Sequence, residues 1–301
     1  MSLPPDWTTL RIFLTALELG SIAKAAERCG IANSAAARRI QMLEVDCGMA
    51  LVERRARGIV ARTAGDILAG HARGLMQQAR QLVDDLRTHA EGGSGTVRIL
   101  AAASAIGGHD LADRLAGFAG EHPRIVVELK ELVSLTIIRE LTEGSADIGI
   151  ITTSGDVPAG LDAAVWRHDR LVVVTARRHP LAGRASLTYD DVLGVPMVDA
   201  VEFGAISLLL AEKAGERGRR PNRHYRTNSI DAARRLIASG LAVGILPDRM
   251  AEPFGDALEL ACIPLDEPWA LRHLRIVSRQ TALLSMPARL LLAYLLDPVV
   301  R

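Results

Sequence analysis

Gly30 divides the stretch GSIAKAAERCGIANSAAARRIQMLE, Gly20 to Glu44, into two short helical patterns, and no other feature constrains the N-terminal fold as much. Ile22, Ala25, Ala26 and Cys29 form the i, i+3, i+4, i+7 stripe of an amphipathic helix that Ser21 can cap. A second stripe runs Ala36, Ile40, Leu43, Cys47, with Asn33 or Ser34 available as its cap. Two short helices joined through a Gly describe a helix-turn-helix. The Gly lets the chain turn and present the second helix separately. With Ile40 pointing inward, the rotation of 100° per residue turns Ser34, Ala35, Arg38 and Met42 outward and leaves Arg39 and Gln41 beside them. Small residues and an Arg make a slim face of the kind the DNA major groove admits, and Arg38 can reach a guanine bidentately. An alanine-rich core helix with solvated arginines fits the same spacing equally well.

The residues that follow favour the DNA reading. GMALVERRARGIVARTAG reads as a hairpin, Leu51 to Glu53 and Ile59 to Ala61, with Arg54, Arg55 and Arg57 at its tip. A basic hairpin after a recognition helix is the wing of a winged helix, placed to touch phosphates or a minor groove. The overall net charge of +1 hides this concentration of charge. Between Arg28 and Arg62 seven arginines stand against Glu44, Asp46 and Glu53, a local balance of +4. Basic density confined to one segment is a nucleic-acid footprint, although a solvated face is the commoner cause of such a run.

Together, GSIAKAAERCGIANSAAARRIQMLE and LVERRARGIVARTAG resemble the N-terminal domain of LysR-type transcriptional regulators. The resemblance implies that Asn33, Ser34, Ala37 and Arg38 occupy the recognition-helix contact positions and Arg57 the wing contact. Arg39, Arg55 and Arg62 complete the expected DNA-binding set. Asn33 stands where the family usually has Gln, Ala37 where Ser or Thr is frequent, and Arg62 where Thr is usual. Operator preference therefore does not transfer from relatives. Arg62 is expected to supply a phosphate contact by charge and Thr63 to cap the next helix.

From Ala64 to His89 the chain contains no Pro, and Leu68, Ala72, Leu75, Ala79, Leu82 and Leu86 recur at steps of four and three. That is a coiled-coil seam, so two subunits are expected to pair here, in either orientation. Such a dimer suits an operator of two half-sites.

At 301 residues, 49% hydrophobic and 24% charged, the chain belongs to the globular class and is long enough for two or three domains. EGGSGT, Glu91 to Thr96, reads as a hinge. Beyond it the apolar strands VRILAA, IVVEL, ADIGII, LVVVTA, VPMVDA, AVGILP and LRIVSR alternate with helices such as Leu111 to Ala119, Leu135 to Glu143 and Ala232 to Ala238. This predicts an α/β fold with mainly parallel sheets. The fold implied by the resemblance is an α-helical winged helix-turn-helix (1–62), a linker and dimerisation helix (63–91), a hinge (92–96) and a two-lobed α/β periplasmic-binding-protein-like effector domain (97–301). Lobe I is expected over 97–164 and 270–301, and lobe II over 165–269.

Hydroxyl and amide residues follow several strands and open several helices: Ser104, Ser134, and Asn228 with Ser229. Helix starts carry free N–H groups and a positive dipole end, so converging starts would form an anion site for a small carboxylate. Ordinary capping explains each residue taken singly. The resemblance places Ser104, Ser134, Thr152, Val201, Phe203 and Asn228 near one cleft, with Val201 and Phe203 as its apolar wall.

No nucleophile elbow, phosphate-binding loop or H-E-x-x-H pair occurs, so enzyme activity is not expected. Cys29, Cys47 and Cys262 suit no metal site, and Cys262, alone in the effector half, excludes a two-thiol switch within one chain. Neither a signal peptide nor a membrane-length apolar run is present, which predicts a cytoplasmic protein without cofactor or metal. The reading is a regulator that binds double-stranded operator DNA and a small-molecule effector, contacts RNA polymerase, and assembles from homodimer to homotetramer. The alternative is a cytoplasmic small-molecule receptor whose N-terminal domain serves only for dimerisation.

Overall fold

The computed structural model describes residues 6–55, 58–91, 94–152, 157–200 and 204–297. The chain divides into two compact units, one built on residues 1–86 and the other on most of 87–301.

The first unit opens with α1 (Trp7–Leu19), α2 (Ile22–Cys29) and α3 (Asn33–Cys47). Gly20, Gly30 and Gly48 close these helices in the left-handed conformation. Ser21 caps α2 as expected, accepting from Lys24 N at 3.3 Å. The cap of α3 differs from the expectation: the cap position is Ala32, without a side-chain hydrogen bond, and Asn33 and Ser34 lie inside the first turn. The hairpin consists of β1 (Val52–Arg55) and β2 (Gly58–Ala61), with Val52 opposite Ala61 and Arg55 opposite Gly58. Arg54 and Arg55 thus belong to the first strand rather than the tip, because the pairing extends two residues beyond Glu53. Arg57 lies outside the described residues.

Two contacts that the sequence did not disclose hold the wing. Glu44 Oε1 accepts from Leu51 N at 2.8 Å and Val52 N at 3.1 Å, fastening the hairpin to α3. Gly58, at φ 129°, packs so closely on α1's end that a Cβ would lie 2.1 Å from the Gly20 carbonyl oxygen.

The next helix, α4 (Thr63–Glu91), begins at Thr63. Arg62 supplies the first carbonyl, to Asp66 N at 2.9 Å, so Arg62 rather than Thr63 stands at the cap. Phe13, Leu43, Leu51 and Ala69 form a buried cluster that joins α1, α3, the wing and α4. Truncating any of its large members to Ala costs about 2–5 kcal/mol, enough to uncouple the wing.

The second unit runs β3 (Gly95–Ala101), α5 (Ala103–Gly108), α6 (Leu111–Glu121), β4 (Ile125–Glu131), α7 (Ser134–Thr142), β5 (Ile148–Thr152) and β6 (Leu161–Ala176). It continues with α8 (Tyr189–Leu193), β7 (Met197–Asp199), α9 (Ala205–Gly215), β8 (Arg223–Arg226), α10 (Ile230–Ala238), β9 (Gly244–Pro247) and α11 (Asp248–Ala251). β10 (Leu260–Pro264), β11 (Leu271–Arg279) and α12 (Met286–Leu296) complete it.

The expectation of mainly parallel sheets is corrected. β3 pairs in parallel with β4 and β5, and β7 with β8, but β5–β11, β6–β11, β6–β9 and β6–β10 are antiparallel. β6 and β11 carry the chain between the lobes in opposite directions, and an apolar run read from sequence carries no strand direction. β6 pairs with β11 over Leu161–Arg170 and with β9 and β10 beyond it, so the pairing changes at Arg170/Leu171, where a boundary near 165 was expected. One apolar cluster centres on Ile99, Phe118, Ile150, Leu274 and Leu291, and others on Leu171, Tyr189 and Val243, and on Val174, Ile237 and Leu246. Each lobe therefore has a core of its own.

Candidate DNA-binding and effector sites

In the first unit Ser34, Ala35, Arg38 and Met42 are exposed and Ala36, Ile40 and Leu43 buried, the division that the helical rotation requires. Asn33 is exposed and Ala37 half-buried. Because Ala32 has no capping group, the first N–H groups of α3 have no side-chain acceptor there, and a phosphate oxygen can take them. Among the described residues Arg38 meets no acidic partner. Arg39 does: its Nη1 donates to Asp6 Oδ2 at 2.8 Å and Thr9 Oγ1 at 2.9 Å. Arg55 Nε donates to Glu53 Oε1 at 3.1 Å along its own strand near the tip, and Arg62 is exposed at the opposite end, the foot of the hairpin.

Along α4 the expected seam changes character. Leu68 and Ala72 are shielded, Ala79 half-buried, and Leu75, Leu82 and Leu86 exposed, the last two by 62% and 63%. Val83 lies between them, also exposed.

In the second unit a cavity of about 520 Å³ gathers Ser104, Ser134, Thr152 and Asn228. Val201 and Phe203 lie outside the described residues. The apolar wall that is described comes from Ile206, Leu210, Ile230, Ile245 and Met250. Ser134 is not a cap but a latch: its Oγ accepts from Thr152 N at 3.1 Å and donates to the Thr152 carbonyl at 3.2 Å, tying α7 to β5. Ser104 lies in α5, whose cap is Ala102, and Ser229 caps α10 through Ala232 N at 3.2 Å. The starts of α7, α9 and α10, through Ser134, Gly204 with Ala205, and Asn228 with Ile230, all reach the cavity wall.

Charged side chains not anticipated from sequence also line it. Asp199 is buried, accepts from Ser207 Oγ at 2.8 Å and faces Arg223 Nε at 3.4 Å. Arg272 places Nε 2.8 Å and Nη2 2.6 Å from the two oxygens of Asp169. Burial raises the Asp169 pKa, but His109, 3.8 Å away, and Arg272 outweigh it and hold the carboxyl below its ordinary value. Asp199 ends a short strand and Arg272 is the second residue of another, so no local sequence pattern marks either as part of a cavity.

Residues 90–298 match the LysR substrate binding domain, and residues 7–65 match the bacterial regulatory helix-turn-helix of the lysR family. The chain belongs to the LysR family of transcriptional regulators. It thus joins a DNA-binding domain to an effector-binding domain. The probable nitrogen assimilation transcriptional activator of Synechococcus elongatus is 26% identical over 285 residues, covering 93% of this chain and 91% of that one. A full-length OxyR variant from Pseudomonas aeruginosa shares the fold with a TM-score of 0.67 at 19% identity, over 98% of this chain and 95% of that one. Full-length CbnR in complex with its target DNA gives 0.64 at 18% identity, over 96% and 98%. The two candidate sites lie in separate units. Among the described residues no helix is long and apolar enough to cross a membrane, and no group of three or more His, Cys, Asp or Glu side chains could hold a metal ion.

Proposed function

We propose that this LysR-family regulator acts in the cytoplasm, reads double-stranded operator DNA with Asn33, Ser34, Ala37 and Arg38, and changes its DNA-bound arrangement when a small carboxylate enters the cavity of the second unit. Arg55, Arg57 and Arg62 contribute phosphate contacts. Arg39, held by Asp6, positions α3 rather than reading bases. The observation that carries the effector reading is the convergence of Ser104, Ser134, Thr152 and Asn228 with three helix starts on one cavity. Uncompensated N–H groups at such starts attract an anion. Asp199 on the same wall is already engaged by Ser207 and Arg223.

Subunits pair along the Leu68, Ala72, Leu75, Ala79, Leu82, Leu86 seam and assemble into a homotetramer that contacts RNA polymerase. Effector control is linkage: a carboxylate that binds one quaternary arrangement better shifts the assembly toward it, and DNA affinity or bending follows. The test is binding of purified protein to the DNA upstream of its own gene against random duplex, over a salt series, with and without a panel of small carboxylates. Salt-steep preference for the upstream DNA, altered by a carboxylate, is expected. Equal affinity for both duplexes across a genome-wide pull-down would sink the operator reading, and insensitivity to every carboxylate the effector reading.

A further inference from the structure

A second cavity, of about 370 Å³, adjoins the first and shares Ser134, Thr152, Ala205 and Arg272 with it. The apolar part of its wall comes from Leu135 and Ile138 of α7, Leu208 and Leu209 of α9, and Trp269 with Leu271 at the start of β11, and Glu212, Lys213 and His273 complete the lining. Leu135, Leu208 and Leu271 are exposed to the extent of 65%, 44% and 44%, so the compartment opens to solvent. Trp269 is fixed there: Nε1 donates to Glu267 Oε2 at 2.9 Å and the ring stands edge-on to Tyr189. The starts of α7 and α9 line the first cavity, and Leu135, Ile138, Leu208 and Leu209 follow within the first two turns of the same helices. The polar and apolar ends of the cleft are thus drawn from the same two helices.

We propose that the cleft is one elongated site and that the effector is amphipathic, its anionic head at the helix starts and its hydrocarbon tail between α7, α9 and Trp269. This rests on the carboxylate reading for the head alone. Continuity through the shared residues, and a combined size within the range of ligand pockets, argue for a single small molecule as occupant. Arg272, at the junction with its guanidinium forked onto Asp169, presents its methylene stem to the passing tail.

The experiment is calorimetric titration of the full-length protein with straight-chain carboxylates from acetate to decanoate and with the matching primary alcohols, repeated on Leu208→Trp, which fills the second compartment from an exposed position. Affinity should rise about fourfold per added methylene until the compartment is filled. The variant should flatten that rise and leave the short acids unchanged. The same rise for alcohols and acids alike would keep the apolar compartment and remove the carboxylate head. Binding of short acids without a gain with length would overturn the compartment and leave the carboxylate reading standing. A rise that Leu208→Trp does not alter, or no binding in either series, overturns the proposal. So does a variant that changes only the sedimentation mass, which would make the groove a subunit contact.

Discussion

Arg39 reaches back from the recognition helix to Asp6, with Nη1 2.8 Å from Oδ2, while the other oxygen of the same carboxylate, Oδ1, accepts from Thr9 N at 2.8 Å and caps α1. One acid therefore starts the first helix and fixes the azimuth of the third. The Thr9 backbone bond, with Arg39 assisting against a smaller burial effect, holds the Asp6 carboxyl below its ordinary value. A depressed carboxyl adds stability that is present above its unfolded pKa, near 4, and is lost as pH falls through the lower folded value. Asp6→Ala is expected to cost at most about 1 kcal/mol at neutral pH, the usual worth of a cap, because the exposed pair with Arg39 adds little. Thermal melts from pH 7 down to pH 2 should show the gap between variant and parent closing in acid. A gap that stays constant would remove the carboxylate from the account.

Arg38 and Arg39 are neighbours in sequence with different duties. Arg38→Ala should cost about 1–3 kcal/mol on operator DNA and relax preference at one base pair per half-site. Arg39→Ala should weaken specific and random duplex by similar factors, because it loosens the placement of α3. Competition binding across single-base operator variants measures both. Equal loss on specific and random DNA for Arg38→Ala would make it a phosphate contact.

Much of this was legible in the sequence where a short period governs the structure. The stripes at Ala25, Ala26, Ala36 and Ile40 gave both helices of the DNA-reading motif their bounds, and the buried positions agree. Ser21 was legible as the cap of α2, but the cap of α3 was not, since Ala32 takes a position that propensity assigns to Asn33 or Ser34. Strand direction was not legible either: LVVVTA marks the apolar half of β6, while its first half, LDAAVWRHDR, carries too many polar residues to read as strand. The strand-end and helix-start positions of Ser104, Ser134, Thr152 and Asn228 are legible and line one cavity, but Asp199 depends on Ser207 and Arg223, and Arg272 on Asp169 far along the chain. Pairing across such separations leaves no local trace.

Gly58→Ala should destabilise the first unit by more than about 1 kcal/mol, since a Cβ would sit 2.1 Å from the Gly20 carbonyl and the φ of 129° disfavours any side chain. The Ile59 N to Gly20 O bond, 2.9 Å, would be pushed apart and the wing with it. DNA affinity should fall while effector binding stays intact. Unchanged melting of the first unit would show that the hairpin shifts freely.

Cys262 lies on β10, and burial, with Glu252 and Asp248 adding to it, pushes its thiol up to about 11. At pH 8 the thiolate fraction is then roughly a hundredfold below that of an unfolded cysteine. Alkylation at Cys262, followed by peptide mass spectrometry, should be slower in the native protein by about that factor and recover in denaturant. Fast native labelling would mean that the strand opens locally.

The exposed half of α4 supports the proposed pairing of two copies along this helix. Leu75, Leu82, Val83 and Leu86 face solvent on one helix, in a stretch where each buried Leu is worth about 1.5–3 kcal/mol. A second copy of the helix offers the matching stripe, and twofold symmetry counts each leucine twice. Leu82→Lys combined with Leu86→Lys should therefore raise the dimer dissociation constant by more than about a hundredfold. Neither side chain contributes to a buried cluster within the described residues, so the fold of each unit should survive, and circular dichroism can confirm that it does. Sedimentation velocity over a dilution series then decides. Parent protein holding its assembly where the variant sediments as a monomer supports the seam. An unchanged mass would place the subunit contact elsewhere, and leave those leucines to cover something other than their own copies.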